Sequence, residues 1–426
     1  MLSSRALKNV QQLERPFRFT PTPDYDPQTN PQGLISFGMA ENVTFTLDSV
    51  SYRSSATINS RLPGIAAAHL DKVLSTHSPI NPEHVFVADS PTSLGNILGF
   101  NLAERGEGII VNRPVYGRFE LDYGVEAGVE IVYADTTTDE AFTPNSVAKY
   151  EQALIEAEQR SIKIRAVLLV NPHNPVGFNI LIEIESGRCY PSDTLRHIAR
   201  FCDRNSLHLI SDEVYASCVF DSGDPDAVPF NSILSLNLQG LIDPNLVHVL
   251  YGFSKDFASG GLHLGFLVTA NEQLRKACKM VLRLHGASQA AITIGTAILE
   301  DQDFVQGFLA KSQASLAAGY RLVTSTLREA GINYMKGGWV FFAYRDLCVS
   351  ALIWQTRNAG FFIYVDLSPF LPDINCSVQE REFALAQQLL DEGIFLHPGE
   401  EHSKDAGWFR LVFSNDEPAL KEGLRR

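Results

Sequence analysis

The stretch SDTLRHIARFCDRNSLHLISDE, residues 192–213, carries two structural periods back to back. Leu195, Ile198, Ala199 and Cys202 recur every three to four residues and share one helix face, with Ser192 expected as the N-cap. LHLISDE (207–213) then changes to a short apolar run without two-residue alternation, as expected of a strand buried on both faces. Runs of the same texture lie on either side: HVFVAD (84–89), GIIVNRP (108–114), VEIVYA (129–134), AVLLVNP (166–172), VHVLYGFS (247–254) and LGFLVT (264–269). Strand and helix alternating in this way predict an α/β fold with a mainly parallel sheet covered by helices.

The texture changes after about Gly286. A long helical stretch (288–330) precedes GGWVFFAYRDL and GWFRLVFS, which read as strands of a smaller α+β domain. The first forty residues are rich in proline and polar groups and read as an extended arm. The expected division is an arm over 1–45 that joins the small domain, a large domain over 46–285, and a small C-terminal domain over 286–426.

With 35 basic and 49 acidic side chains the chain has a formal net charge of -14, which argues against nucleic acid or an anionic membrane surface as partner. No uninterrupted apolar run reaches the roughly 18 residues of a membrane span. The N-terminus MLSSRALKNVQQLERPF lacks the apolar core of a signal peptide. Six cysteines are scattered with no CxxC and no zinc-like spacing, so free thiols in a reducing, cytoplasmic compartment are expected and no metal site is. Asn42-Val43-Thr44 and Asn375-Cys376-Ser377 match the glycosylation pattern and are read as chance.

Four segments follow strands, where open α/β sheets bind ligands. YGFSKDFASGG puts Lys255 between an apolar strand and a glycine-rich turn. It reads either as a solvated loop lysine or as a nucleophile whose pKa a cleft lowers for Schiff-base formation. SDEVYA ends a strand with Asp212 and Tyr215. The carboxylate is either an N-cap or ion-pair member, or the partner of a protonated pyridine nitrogen, with Tyr215 donating to the ring oxygen. VNPHNPVG offers Asn174 as a second donor, against the alternative of an ordinary Pro-Asn turn. ADSPTSLGN opens a helix where Ser90, Thr92 and Ser93 either cap the backbone or cradle a phosphate.

The order of NPxNPxG, SDEVYA, SKDF-x-SG and GWFR resembles the fold-type I, class I/II aminotransferases, and within them the 1-aminocyclopropane-1-carboxylate (ACC) synthase branch. NPQGLISFGMAEN (30–42), NRPVYGRFELD (112–122), RCYPSDTLRHIARFC (188–202) and HPGEEHSKDAGWFRLVFS (397–414) extend the likeness over nearly the whole chain. The resemblance implies pyridoxal 5'-phosphate as cofactor, held by Lys255 as a Schiff base; the same lysine would move the Cα proton. It further implies Asp212 on the pyridine nitrogen, Asn174 and Tyr215 on the ring oxygen, and Tyr116 stacked on the ring. Ser90, Thr92, Ser93 and Ser254 would sit near the phosphate. Arg410 would grip the substrate carboxylate, with Glu41 near the reacting substrate. A small amino-acid substrate and a homodimer follow from the same likeness.

The departures cluster at the phosphate. His263 stands where the family has an arginine, Gly252 where it has a serine, Asn59 where a partner-subunit tyrosine is common, and Pro91 removes a helix-start amide. Residues 178–187 read as an insertion. Weak phosphate contacts would handicap a transaminase, which frees its cofactor from the lysine midway, more than an elimination enzyme. The expected activity is therefore an ACC-synthase-like lyase working by β- or γ-elimination, including C–S cleavage. An aminotransferase is the alternative, and a non-catalytic binding protein on the same scaffold the second.

Overall fold

The computed structural model describes residues 25, 28–36, 61–136, 138–174, 188–222, 228–334, 357–399 and 406–426. The expectations for Glu41, Asn59, Cys348, most of the N-terminal arm, the 178–187 insertion and the GGWVFFAYRDL strand lie outside the described residues.

The central sheet has seven strands: β1 (Val85–Ala88), β2 (Gly108–Arg113), β3 (Glu130–Asp135), β4 (Ile164–Val170), β5 (His208–Asp212), β6 (Val247–Gly252) and β7 (Gly265–Thr269). Their spatial order is β1-β7-β6-β5-β4-β2-β3. The pairs from β6 through β3 are parallel, and β7 runs against β6 and β1. The mainly parallel sheet expected from the sequence is present.

Helices cover both faces: α1 (Leu62–Val73), α2 (Pro91–Leu102), α3 (Phe119–Gly124), α4 (Ser146–Gln159), α5 (Ser192–Arg204), α6 (Glu272–His285) and α7 (Gln289–Glu300). Along β4, Val167 and Leu169 enter the core shared with α1, α4, α5 and α7, while Ala166, Leu168 and Val170 enter the core shared with α2, α3 and α6. A strand with an apolar layer on each side cannot alternate, which explains the unbroken apolar runs. In α5, Leu195, Ile198, Ala199 and Cys202 are all fully buried. Its N-cap, however, is Pro191 and not Ser192. Extended Pro191 (φ -60, ψ 144) already presents its carbonyl to the Leu195 amide at 3.1 Å, so Ser192 becomes the first helical residue.

The stretch expected as one helical run is two helices, α7 and α8 (Gln302–Glu329). Asp301 separates them; its carboxylate accepts the Phe304 amide at 2.9 Å and starts the second helix afresh. Beyond α8, strands β8 (Phe362–Asp366), β9 (His397–Pro398) and β10 (Trp408–Val412) form an antiparallel sheet in the order β8-β10-β9. GWFRLVFS thus supplies a strand as expected. Together with α8 and α9 (Val378–Asp391) these strands bury a second core around Leu316, Tyr320, Val323, Phe409 and Leu411. Ile35–Ser36 pairs in parallel with Ile394–Phe395, and the Arg426 guanidinium donates to the carbonyls of Pro31 and Gly33 at 2.9 and 3.0 Å. Those contacts tie an early segment to the end of the chain.

The described cysteines, Cys189, Cys202, Cys218, Cys278 and Cys376, are free thiols, the first four buried. Among the described residues no helix is long and apolar enough to cross a membrane. At the sheet end remote from the Asp212 terminus, His208 Nδ1 meets His248 Nε2 at 2.9 Å, and His248 Nδ1 meets Thr269 Oγ1 at 2.9 Å. Burial lowers the pKa of both imidazoles, that of His208 to about 4.

Glu213, directly after β5, is fully buried; it accepts the Ser211 hydroxyl at 2.8 Å and the Ile233 amide at 3.1 Å. Burial pushes its carboxyl from 4.5 up to about 7. The folded chain therefore binds the extra proton between those values, and this group's contribution to stability falls as pH rises through that window. Glu213→Gln should gain roughly 2–3 kcal/mol on the wild type near pH 8 and little near pH 4. Urea unfolding at both pH values measures the difference.

Candidate active site

Parallel strands bring their carboxyl ends to one edge of the sheet, and a cavity of about 770 Å³ opens there. β5 delivers Asp212 to it, and the segment after β4 delivers Asn174. After β6 a single helical turn, Phe253–Asp256, carries Ser254 and Lys255 into the same space. Arg410, on β10 of the other sheet, lines the cavity from across the cleft. Tyr116, Tyr215, Ser90, Thr92 and His263 complete the residues expected from sequence. Ser93 is not in the lining, and Glu41 lies outside the described residues.

The Asp212 carboxyl is pushed up to about 6, mainly by burial; the Val214 amide, 3.3 Å from Oδ1, and the Lys255 charge pull it back down. A group so balanced ionises fully when a cation arrives. Asn174 Oδ1 accepts a hydrogen bond from Arg410 Nη1 at 3.3 Å, so a loop of the large sheet touches the arginine of the small one. Arg410 is buried, and its guanidinium carbon also lies 5.7 Å from the Phe362 ring centroid. In register it sits opposite Tyr364 on β8 and His397 on β9. Tyr215 packs edge-on against Phe361 and Phe362, with centroids 5.3 and 5.6 Å apart, which fixes its ring. Burial drives the phenols of Tyr215 and Tyr116 upward, that of Tyr116 to about 12, so both remain hydrogen donors.

The opposite end is built around the start of α2. Ser90 is the N-cap, and its hydroxyl accepts the Ser93 amide at 3.0 Å and donates to Ser93 Oγ at 3.1 Å. Ser93 thus serves the cap that shapes this end. His263 stands in the left-handed region (φ 52) after the short turn Gly260–Leu262 and lines the same cavity. Gly252 and Gly265 let α2 come this close: a Cβ on Gly252 would stand 2.6 Å from Pro91 Cγ, and one on Gly265 2.6 Å from the Ser90 carbonyl carbon.

Four residues of the region escaped the sequence reading. Asp122 and Tyr123, consecutive on α3, both line the cavity, as does His397. Asp256, next to Lys255, is buried and accepts the Ser217 amide at 3.0 Å and the Cys218 thiol at 3.1 Å. That clamp joins the lysine turn to the Tyr215 turn. Only Asp256 carried a visible signal, as a carboxylate directly after the candidate lysine.

The donor set fits a phosphorylated pyridine. One cavity gathers a carboxylate suited to a ring cation, hydroxyls at a helix start, phenol and amide donors, and a close approach at Gly252 and Gly265 that a methyl group would fill. Gly265→Ala should displace the first turn of α2. We expect a stability loss of about 1–3 kcal/mol with cofactor affinity weakened at least tenfold. Thermal unfolding and cofactor titration of the variant check both.

The chain is 31% identical to human 1-aminocyclopropane-1-carboxylate synthase-like protein 1, over 95% of this chain and 77% of that one. It is 27% identical to rice 1-aminocyclopropane-1-carboxylate synthase 6, over 94% and 73%. The Thermus thermophilus aspartate aminotransferase solved with maleate shares the fold at a TM-score of 0.70 and 18% identity, with 100% of this chain and 96% of that one covered. Residues 65–426 match the family model of aminotransferase class I and II. The chain therefore belongs to the class I and II aminotransferase family, whose members use pyridoxal 5'-phosphate.

Proposed function

We propose that the protein is a pyridoxal-phosphate lyase that removes a β or γ substituent from an amino acid, including by C–S bond cleavage. The observation that carries the amino-acid reading is the meeting of Lys255, Asp212 and Arg410 in one cavity. Pyridoxal phosphate bound there supplies a sink for the electrons of a substrate Cα–H bond. Asp212 holds the proton of the ring nitrogen. Asn174 and Tyr215 donate to the ring oxygen, and Tyr116 covers the ring face. Ser90, Thr92, Ser254 and His263 receive the phosphate, with Ser93 bracing Ser90. Arg410 grips the α-carboxylate through its guanidinium fork, and Glu41 remains a proposed substrate contact. Lys255 Nζ carries the Cα proton away and returns it.

An aminotransferase would use the same groups, and the scaffold does not choose between them. The phosphate end supports the lyase. It offers hydroxyls and the His263 imidazole, and Pro91 opens α2 without an N–H. Elimination keeps the cofactor on Lys255 at both ends of the cycle, whereas amino transfer relies on noncovalent grip midway.

Incubation of the cofactor-loaded protein with S-substituted cysteine and homocysteine should release keto acid, ammonia and free thiol. Amino transfer to an added keto acid as the main product would make the protein an aminotransferase, and cofactor binding without turnover would make it a binding protein. Lys255→Ala should abolish turnover. Arg410→Lys should raise KM about tenfold or more with a smaller effect on kcat, since an ammonium cannot hold a carboxylate bidentately.

We also propose a cytoplasmic homodimer. Met280 and Leu284, one turn apart on α6, are 77% and 80% exposed, an apolar pair that a second copy would cover. Light scattering of the wild type should give twice the chain mass, and Leu284→Glu with Met280→Glu should lower it.

A further inference from the structure

Lys255 and Asp256 are consecutive on the single helical turn Phe253–Asp256, about 100° apart around its axis, so their side chains leave on different sides. Lys255 lines the cavity, whereas Asp256 turns into the protein and is 1% exposed. There its Oδ2 accepts the Ser217 amide at 3.0 Å and its Oδ1 the Cys218 thiol at 3.1 Å. Burial pushes the carboxyl up to about 6 and its hydrogen-bond donors hold it back down, so it is an anion near neutral pH.

Both donors belong to the turn that carries Tyr215, and that turn is held independently of Asp256. The Cys218 amide donates to the Tyr215 carbonyl at 2.9 Å, and the Gly360 amide to the Cys218 carbonyl at 2.9 Å. The Gln313 side chain donates to the Ser217 carbonyl at 3.0 Å, and Val219–Asp221 pairs antiparallel with Arg357–Ala359. The Tyr215 turn is therefore a fixed frame. The lysine turn has little stiffness of its own. Four residues make one turn of helix, too few to be stable alone. The chain then leaves through left-handed Ala258 (φ 50) and His263 (φ 52), with Gly260 and Gly261 between them.

We propose that Asp256 is a positioning residue for Lys255: its buried carboxylate fastens the lysine turn to the Tyr215 turn, so that Nζ stands where it can join the cofactor aldehyde. The assignment rests on the pyridoxal-phosphate reading above. In that condensation the Nζ lone pair adds to the aldehyde carbon, a C=N bond replaces C=O, and water leaves. The amine is carried by one turn, and the ring oxygen meets Tyr215 on the other. The spacing of the two turns thus governs whether the carbon lies within reach. Asp256 sets that spacing without touching cofactor or substrate.

The test compares two cofactor forms on the full chain stripped of cofactor. Pyridoxal phosphate is held by the Lys255 imine and by the noncovalent groups together. Pyridoxamine phosphate has no aldehyde and uses the noncovalent groups alone. Asp256→Asn keeps the size of the side chain but removes its charge and leaves one carbonyl oxygen for two donors. Its Kd for pyridoxal phosphate should rise about tenfold, with slower growth of the imine absorption band, while its Kd for pyridoxamine phosphate stays within about twofold of wild type. Equal weakening of both forms overturns the assignment, because the carboxylate would then support the fold at large. Unchanged affinity for both overturns it as well. If Asp256→Asn does not fold, Cys218→Ala, which removes one donor and leaves the carboxylate, is judged by the same pair of Kd values. A wild type that forms no imine band with pyridoxal phosphate, or whose band survives Lys255→Ala, overturns the reading beneath together with this assignment.

Discussion

Between the α-carbon of Gly265 and the Ser90–Pro91 peptide there is room for a hydrogen atom and little more, because a Cβ would stand 2.6 Å from the Ser90 carbonyl carbon. Gly252 meets Pro91 in the same way, and the Leu264 carbonyl accepts the Phe253 amide at 3.1 Å. These contacts lock the start of α2, the end of β6 and the start of β7 into one corner. Lys255, three residues beyond Gly252, and His263, two before Gly265, take their places from that corner. A bulkier residue at either glycine would move the lysine and the helix start together, so the two ends of the ligand cradle are set by one steric fact.

Two polar links carry that placement outward. The buried Asp256 carboxylate ties the lysine turn to Ser217 and Cys218, and Gln313 of α8 donates to the Ser217 carbonyl at 3.0 Å. The Arg410–Asn174 bond joins the small sheet to the large one at the cavity itself. Each link crosses between elements far apart in sequence, and each uses groups that are costly to strand without a partner. Movement of α8 or β10 would therefore be felt at the site.

The sheet was legible because burial on both faces leaves an unmistakable apolar run, and α5 because its stripe recurs at helical spacing. The site was legible where a chemically unusual residue directly follows such a run, as with Asp212 and Lys255. Asp122, Tyr123 and His397 were not legible. Nothing local distinguishes FELDYG from any short helix, and only the approach of α3 to α2 turns its Tyr123 towards the cavity. His397 faces the site through cross-strand register with Arg410, which is set by pairing that no single segment contains. The break at Asp301 and the cap at Pro191 were hidden for a smaller reason, since hydrophobic period continues across them while backbone geometry decides.

The bond from Arg410 to Asn174 also fixes which way that amide faces. Its oxygen accepts from the guanidinium, and its NH2 group remains a donor on the cavity side opposite that bond in the proposed site. Tyr215, its phenol held protonated by burial, likewise has a hydrogen to give. A wall that can donate from two points discriminates by charge: it attracts an oxygen that has lost its proton more strongly than one that has kept it. With pyridoxal phosphate placed as proposed, such a wall would favour the deprotonated form of the ring oxygen between Asn174 and Tyr215 and shift its ionisation on contact.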